Sequence, residues 1–404
     1  MKILMLGWEL PPHNSGGLGV ACYYLCKALS SKGVDINFIL PYSAEHNIEF
    51  MNINGVSSVS PQEFFNGNSV YDFSKYVLGG NISGVNVHGG DIWNQAQIYE
   101  DAVAEVSESM EFDIIHAHDW FTFRAALRAK QGTNKPLILH VHSIEPDRSG
   151  GGYGNPFVRE IESTAMLLAD KTIAVSQHTK DTIISEYGIP EDKIEVVHNS
   201  IDPESITPLD DNNVYRYLET LKAQGYKVIS NVGRLTIQKG LYNLLRAAKL
   251  VIEREPRTIF MLVGSGDQER ELLEQAAELG ISRNVIFTGF QRGKNWRDAY
   301  SVSDLFVMPS VSEPFGLVAL EAIGYGTPAL VSKQSGVAEV IKSCLKVDFW
   351  DVDELANQIT SLVRSDALRD ELHKNSLSEY NQLSWSTTAD SLINLYNRHR
   401  RVYV

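Results

Sequence analysis

The stretch Ser312-Glu-Pro-Phe-Gly-Leu-Val-Ala-Leu-Glu321 sets two carboxylates about a predicted helix start. The apolar run Asp304-Leu-Phe-Val-Met-Pro309 before it reads as a buried strand. Glu313 and Pro314 then read as a loop, and Gly316 to Tyr325 as a helix stopped by Gly326 and Pro328. Amides at a helix start have no intrahelical partners, and the helix dipole adds positive potential, so the junction suits phosphate. Glu321 falls about 7 Å along the axis, at about 1.5 Å per residue. Carboxylates repel phosphate but accept from hydroxyls, so a ligand carrying both, as a sugar nucleotide does, matches the pattern. An ordinary helix with Glu321 solvated and Glu313 near its N-cap fits the same ten residues.

Four further stretches could do chemistry, each where a strand's carboxyl end meets a loop, the place where open α/β sheets bind ligands. Pro11-Pro-His-Asn-Ser-Gly16-Gly17-Leu18-Gly19 pairs two glycines before a predicted helix, which lets backbone amides approach a diphosphate; ordinary tight turns use glycines too. Gly233-Arg234-Leu-Thr-Ile-Gln-Lys239-Gly240 offers a planar guanidinium fork and a point charge, suited to a diphosphate leaving group or simply to a solvated basic loop. His116-Ala-His118-Asp119-Trp120 puts two rings on one face of a strand without a matching third ligand, so a structural role suits at least one of them. His140-Val-His142-Ser-Ile-Glu145-Pro-Asp147-Arg148 leads into Ser149-Gly-Gly-Gly-Tyr-Gly154, a loop able to order over an acceptor or to serve as a plain flexible linker.

The elements that must position these residues alternate in type. Apolar strands recur at 2–6, 35–40, 113–116, 136–141 and 171–175, and again at 227–232, 258–263, 284–287, 304–309 and 328–331. Helical patterns such as Val20–Lys32, Leu241–Glu253 and Gln268–Leu279 lie between them. That order implies two α/β units, each with a parallel, doubly wound sheet. Residues 42–100 are less regular and suggest insertions or a sheet edge, and Pro203 to Gln224 reads as the passage between units. A chain of 404 residues is long for one core and natural for two. A net charge of −14 with no basic stripe argues against nucleic acid, and clusters such as Arg124/Arg128/Lys130 read as solvated helix faces. No apolar run approaches a membrane span, and Met1 to Leu6 reads as a first strand rather than a signal peptide. Cys22, Cys26 and Cys344 give no disulfide framework and read as core cysteines, so a cytoplasmic location is expected.

The Glu313-x7-Glu321 spacing resembles the signature of the retaining glycosyltransferases of family 4, which have the GT-B fold, and the resemblance runs along almost the whole chain. It implies that Glu313 binds hydroxyls of the transferred sugar and Glu321 the ribose of the nucleotide, with Phe315, Gly316 and Leu317 on the donor side. Arg234 and Lys239 match the family's basic pair, His142 its sugar-contacting histidine, and Gly264 and Phe290 the loops around the base. The motifs at Gly16-Gly17-Leu18 and His116 to Trp120 are nearest the glycogen and starch synthase branch, which usually carries Lys where this chain has Asn14. In that branch the Asp119 position lies near sugar and acceptor; Glu145, Asp147 and Arg148 are read as acceptor-side with it. The resemblance divides the chain at 1–205 and 206–385, with a final helix over 386–404 crossing back. It implies glucose transfer from ADP-glucose or UDP-glucose to an α-glucan, or to a small sugar, sugar phosphate or lipid-linked glycan. No metal or other cofactor is expected, because the two cations can stabilise the departing nucleotide and no Asp-x-Asp or histidine cluster has ligand spacing. A nucleotide-sugar 2-epimerase and an inactive sugar-binding scaffold are the other readings.

Overall fold

The short apolar runs become strands of two all-parallel sheets. The computed structural model describes residues 1–14, 16–65, 90–203, 206–209 and 212–400. In chain order it begins β1 (Lys2–Leu6), α1 (Gly17–Ser31), β2 (Asp35–Leu40), β3 (Asn52–Gly55), α2 (Pro61–Phe65) and α3 (Gly90–Ser109). There follow β4 (Ile114–His118), α4 (Asp119–Thr133), β5 (Leu137–Val141), α5 (Glu145–Arg148), α6 (Pro156–Leu168), β6 (Lys171–Ala174), α7 (Gln177–Tyr187) and β7 (Ile194–Val196). The second series is α8 (Arg216–Ala223), β8 (Lys227–Val232), α9 (Leu241–Arg254), β9 (Thr258–Val263), α10 (Glu269–Glu278), β10 (Val285–Phe287) and α11 (Gly293–Ser301). It continues β11 (Leu305–Met308), α12 (Leu317–Gly324), β12 (Ala329–Ser332), α13 (Val337–Val340), β13 (Leu345–Val347), α14 (Val352–Arg364) and α15 (Asp366–Tyr380), and the chain ends on α16 (Trp385–His399).

The sheet orders are β3-β2-β1-β4-β5-β6-β7 and β10-β9-β8-β11-β12-β13. Each reverses direction once, between β1 and β4 and between β8 and β11, and crevices outside the carboxyl ends at such switch points bind ligands. Strands β4, β5, β9, β11 and β12 are buried along their whole length, which is why they read as continuous apolar runs rather than alternating ones. In the second sheet's core, α9 sets Leu241, Leu244, Leu245, Ala248 and Val251 at helical spacing against Phe260 and Leu262 of β9 and Leu355, Ile359 and Leu362 of α14. Local signals agree: the Asn155 side chain accepts from the amides of Phe157 and Val158 at the start of α6, with Pro156 in the first turn.

The chain forms two units. One contains residues 1–148, 152–200 and 385–404, the other residues 149–151 and 201–384. Helix α16 therefore belongs with the first unit, where Leu392, Leu395 and Tyr396 are buried. Ser205, the end of the first half as read from sequence, and residues 401–404 lie outside the described set.

Residues 42–100 were the least legible part. They hold the edge strand β3, and residues 66–89 lie outside the described set. Polar composition hid α3, yet Ile92, Ala96, Tyr99 and Val103 recur at helical spacing and are all buried. Arg124 and Arg128 of α4 reach Glu100 and Asp101 on it, and Lys130 pairs with Asp170, so that basic cluster is ion-paired surface. Cys22, Cys26 and Cys344 are buried thiols. No described helix is long and apolar enough to cross a membrane.

Candidate active site

In the second unit, the carboxyl end of β11 carries the anionic half of the site. Glu313 is 8% exposed. Its Oε2 accepts from Lys239 Nζ at 2.6 Å and from Ser310 Oγ at 2.9 Å. Main-chain bonds fix the loop, from the Glu313 amide to the Gln334 carbonyl at 2.8 Å and from the Gly336 amide to the Glu313 carbonyl at 3.0 Å. Gly316 caps α12 at φ 103°, with Phe315 buried before it and Leu317 in the first turn. Glu321 lies on the same helix, and its Oε2 accepts from Tyr300 OH at 2.9 Å. Burial pushes the Glu321 carboxyl up to about 7, against the tyrosine's hydrogen bond.

Lys239 ends a short 3₁₀ turn, Ile237–Lys239, after β8. Gly240 follows at φ 64°, where an added Cβ would lie 2.1 Å from the Pro309 carbonyl oxygen. Only glycine lets this turn approach the end of β11, and that approach brings the lysine to Glu313. A second close approach joins the loops after β8 and β9, since a Cβ on Gly264 would lie 1.8 Å from the Gly233 carbonyl oxygen. The Gly264 amide also donates to the Gly289 carbonyl at 3.0 Å. Three strand ends therefore meet backbone to backbone, with Arg234 partly buried on the first loop. Phe290 on the third is 54% exposed, and the Arg292 guanidinium lies 5.0 Å from its ring.

In the first unit, Gly16 caps α1 in an extended conformation, and Gly17 and Leu18 form its first turn. Asn14 Nδ2 donates to the Gly16 carbonyl at 3.1 Å, so Asn14 braces the loop. Ser15 lies outside the described residues. Across the sheet, His118 of β4 is the register partner of His140 of β5. Pairing of the two strands gathers both His-x-His pairs. The rings of His116 and His118, His118 and His140, and His140 and His142 stack at 4.6, 5.2 and 4.3 Å. His116 Nδ1 bonds Tyr396 OH of α16 at 2.5 Å, and His116 Nε2 lies 3.2 Å from His140 Nδ1. His118 Nδ1 lies 2.9 Å from His142 Nε2, and His118 Nε2 lies 3.1 Å from the Met5 sulfur. Burial holds all four rings below their ordinary pKa.

Asp119 starts α4 at φ 57°, a left-handed conformation strained for a residue with a side chain. Its Oδ1 accepts from the amides of His142 at 2.7 Å and Ser143 at 3.3 Å. Burial raises its carboxyl to about 7, opposed by Arg148 and these amides. Asp119 thus anchors the backbone of His142, a link invisible in sequence because the two residues sit on different strand ends. Glu145, Asp147 and Arg148 are engaged inside the same unit. Arg148 Nε donates to Glu145 at 3.0 Å and its Nη2 to Glu162 at 2.5 Å; Tyr187 also donates to Glu162, and the Ile144 amide donates to Asp147 at 2.9 Å. The positions read as acceptor-side therefore form a buried polar bracket within the first unit.

Residues 15–205 match the family model "Glycosyltransferase Family 4" and residues 219–378 match "Glycosyl transferases group 1". An uncharacterised glycosyltransferase of Methanocaldococcus jannaschii is 30% identical over 98% of this chain and 98% of its own length. The chain belongs to the family 4 glycosyltransferases. This glycosyltransferase is also 26% identical to glycogen synthase of Mycobacterium tuberculosis, over 84% of its length and 80% of the relative's. It is 30% identical to D-inositol 3-phosphate glycosyltransferase of Corynebacterium jeikeium, over 72% and 73%. The Anabaena protein HepE, solved in complex with UDP and glucose, has the same fold, with a TM-score of 0.72 at 18% identity over 98% of this chain and 99% of that one. The fold of the transferase is GT-B.

Among the described residues, two trios of metal-capable side chains converge in this glycosyltransferase: Cys22 with His118 and His142, and His116 with His118 and His140. Sequence spacing missed both, because the members of each come from more than one element. Within them His116 Nε2 faces His140 Nδ1 at 3.2 Å and His118 Nδ1 faces His142 Nε2 at 2.9 Å, so these ring nitrogens are engaged with one another.

Proposed function

We propose that the protein is a retaining hexosyltransferase that moves glucose from a nucleotide diphosphate sugar to an acceptor hydroxyl, with an α-glucan as the leading acceptor. The observation that carries the reading is Glu313, held by Lys239 at 2.6 Å and Ser310 at 2.9 Å beside the start of α12. In this reading the carboxylate accepts from sugar hydroxyls, while Lys239 and Arg234 offset the charge that develops on a departing diphosphate. The acceptor hydroxyl attacks from the face the diphosphate leaves. The new C1–oxygen bond forms as the C1–phosphate oxygen bond breaks, and the acceptor proton passes to the leaving phosphate oxygen. Positioning and charge stabilisation supply the rate, and no metal is needed in this scheme. Glu321 takes the ribose hydroxyls, and Gly264 and Phe290 of the same unit take the rest of the nucleotide. Buried reduced cysteines support a cytoplasmic enzyme.

A smaller acceptor is the second reading, favoured by Asn14 bracing its own loop in place of a cation and by the likeness to an inositol phosphate transferase. The test incubates UDP-glucose or ADP-glucose with maltooligosaccharides and, separately, with glucose, glucose phosphate and inositol phosphate, following mass and linkage. Elongation by one α-linked glucose is expected. A β-linked product overturns retention, and transfer only to a small acceptor replaces the glucan. Epimer formation in donor-only incubations would replace transfer by epimerisation.

A further inference from the structure

The ring nitrogens of His118 and His142 continue a line of contacts that starts at the sulfur of Met5. His118 Nε2 lies 3.1 Å from the sulfur of Met5, a fully buried residue of β1. A thioether has lone pairs and no proton to donate, so this contact is a hydrogen bond only when His118 directs an N–H at it. His118 is itself fully buried, and burial keeps its ring neutral, so with Nε2 protonated its Nδ1 is a lone pair. That lone pair faces His142 Nε2 at 2.9 Å, which must therefore donate. His142 is neutral too, so its Nδ1 is left as an acceptor. The backbone of His142 is held independently by Asp119 Oδ1 at 2.7 Å from its amide.

We propose that Met5 and His118 form a relay that locks His142 in the Nε2–H form and presents its Nδ1 as a hydrogen-bond acceptor for a hydroxyl of the substrate sugar. The inference rests on the transferase reading of His142 and adds what that reading lacks, the direction of the hydrogen bond. Met5 and His118 are positioning residues, and neither touches substrate. The second branch, Tyr396–His116–His140, sets no direction, because a tyrosine hydroxyl both donates and accepts.

The test is two-bond ¹H–¹⁵N spectroscopy of the full-length, ¹⁵N-histidine-labelled protein without ligand, which separates protonated from lone-pair ring nitrogens. His142 is assigned by the signals lost in His142→Gln. The expected wild-type pattern is Nε2–H on both His118 and His142. His118→Leu removes the acceptor and should shift His142 toward a mixture with Nδ1–H. His118→Asn places a carbonyl oxygen where Nδ1 was and should restore the Nε2–H pattern. Met5→Leu, which keeps the volume, should release the lock without unfolding the strand, and covers the case of a His118→Leu protein that does not fold. A wild-type His142 in the Nδ1–H form overturns the relay, as does a His142 pattern unchanged in every variant that folds. Glucose transfer at the wild-type rate by His142→Gln would instead remove His142 from the sugar and leave the relay standing, so the two failures are distinguishable.

Discussion

Glu313 and Lys239 form an ion pair with side chains only 10% and 15% exposed. At that depth the desolvation of both charges offsets much of their attraction, so the pair is a poor source of stability. Glu313→Gln keeps the shape and two polar atoms. It should fold with a melting temperature near wild type and lose about a hundredfold in turnover, about 3 kcal/mol of transition-state stabilisation. Near-normal turnover in a folded variant would remove Glu313 from the chemistry. Arg234→Ala and Lys239→Ala should each lower turnover strongly while excess chelator changes little; activity lost to chelator and restored by Mg²⁺ would refute metal independence. Glu321 gives a pH prediction. Burial raises its carboxyl to about 7, so the fold favours the protonated form, and this contribution to stability is lost as pH rises through about 7. Ribose hydroxyls donate to the ionised form, so nucleotide affinity should rise with pH. If only that form binds, the Kd of UDP should fall about tenfold between pH 6 and 8. Calorimetric titration of wild type and Glu321→Gln checks this, the variant being expected to show a flat profile.

At the scale of elements, the turn after β8 and the end of β11 are fitted to each other through one glycine. Gly240→Ala would set a methyl 2.1 Å from the Pro309 carbonyl in a backbone at φ 64°. The strain and the displaced loop together should cost about 3 kcal/mol in urea unfolding and remove activity, because Lys239 and Glu313 part. Gly33→Ala is the contrast. It has φ 80° but nothing within 4 Å, so it should cost about 1 kcal/mol and leave turnover intact. Equal costs at the two sites would show that backbone conformation, not close approach, explains Gly240. These loops were legible as glycine-rich; which glycine faced a carbonyl was not, since the approach joins residues 69 positions apart.

At the scale of the molecule, α16 completes the first unit from the far end of the chain. It buries Trp385, Leu392, Leu395 and Tyr396 and places Tyr396 OH against His116. At about 2 kcal/mol per buried side chain these come to about 8 kcal/mol, comparable with the whole stability of a domain. A protein ending at Ser384 should therefore lose one of two calorimetric transitions, and two intact transitions would overturn that estimate. Much of this was legible in the chain alone. Apolar runs alternating with helical patterns determined two parallel sheets, because strands buried on both faces must be apolar throughout. Motif spacing determined the family, because Glu313 and Glu321 share one loop and helix. Pairwise geometry between elements was left to the tertiary structure. Strand register stacked four histidines that sequence showed as two separate pairs, β1 supplied Met5, and Asp119 found the His142 amide. Arg148 turned inward to Glu145 and Glu162, Asp147 took the Ile144 amide, and Glu321 met Tyr300. Spacing along a chain reports what shares an element; hydrogen bonds between elements depend on how the sheets close.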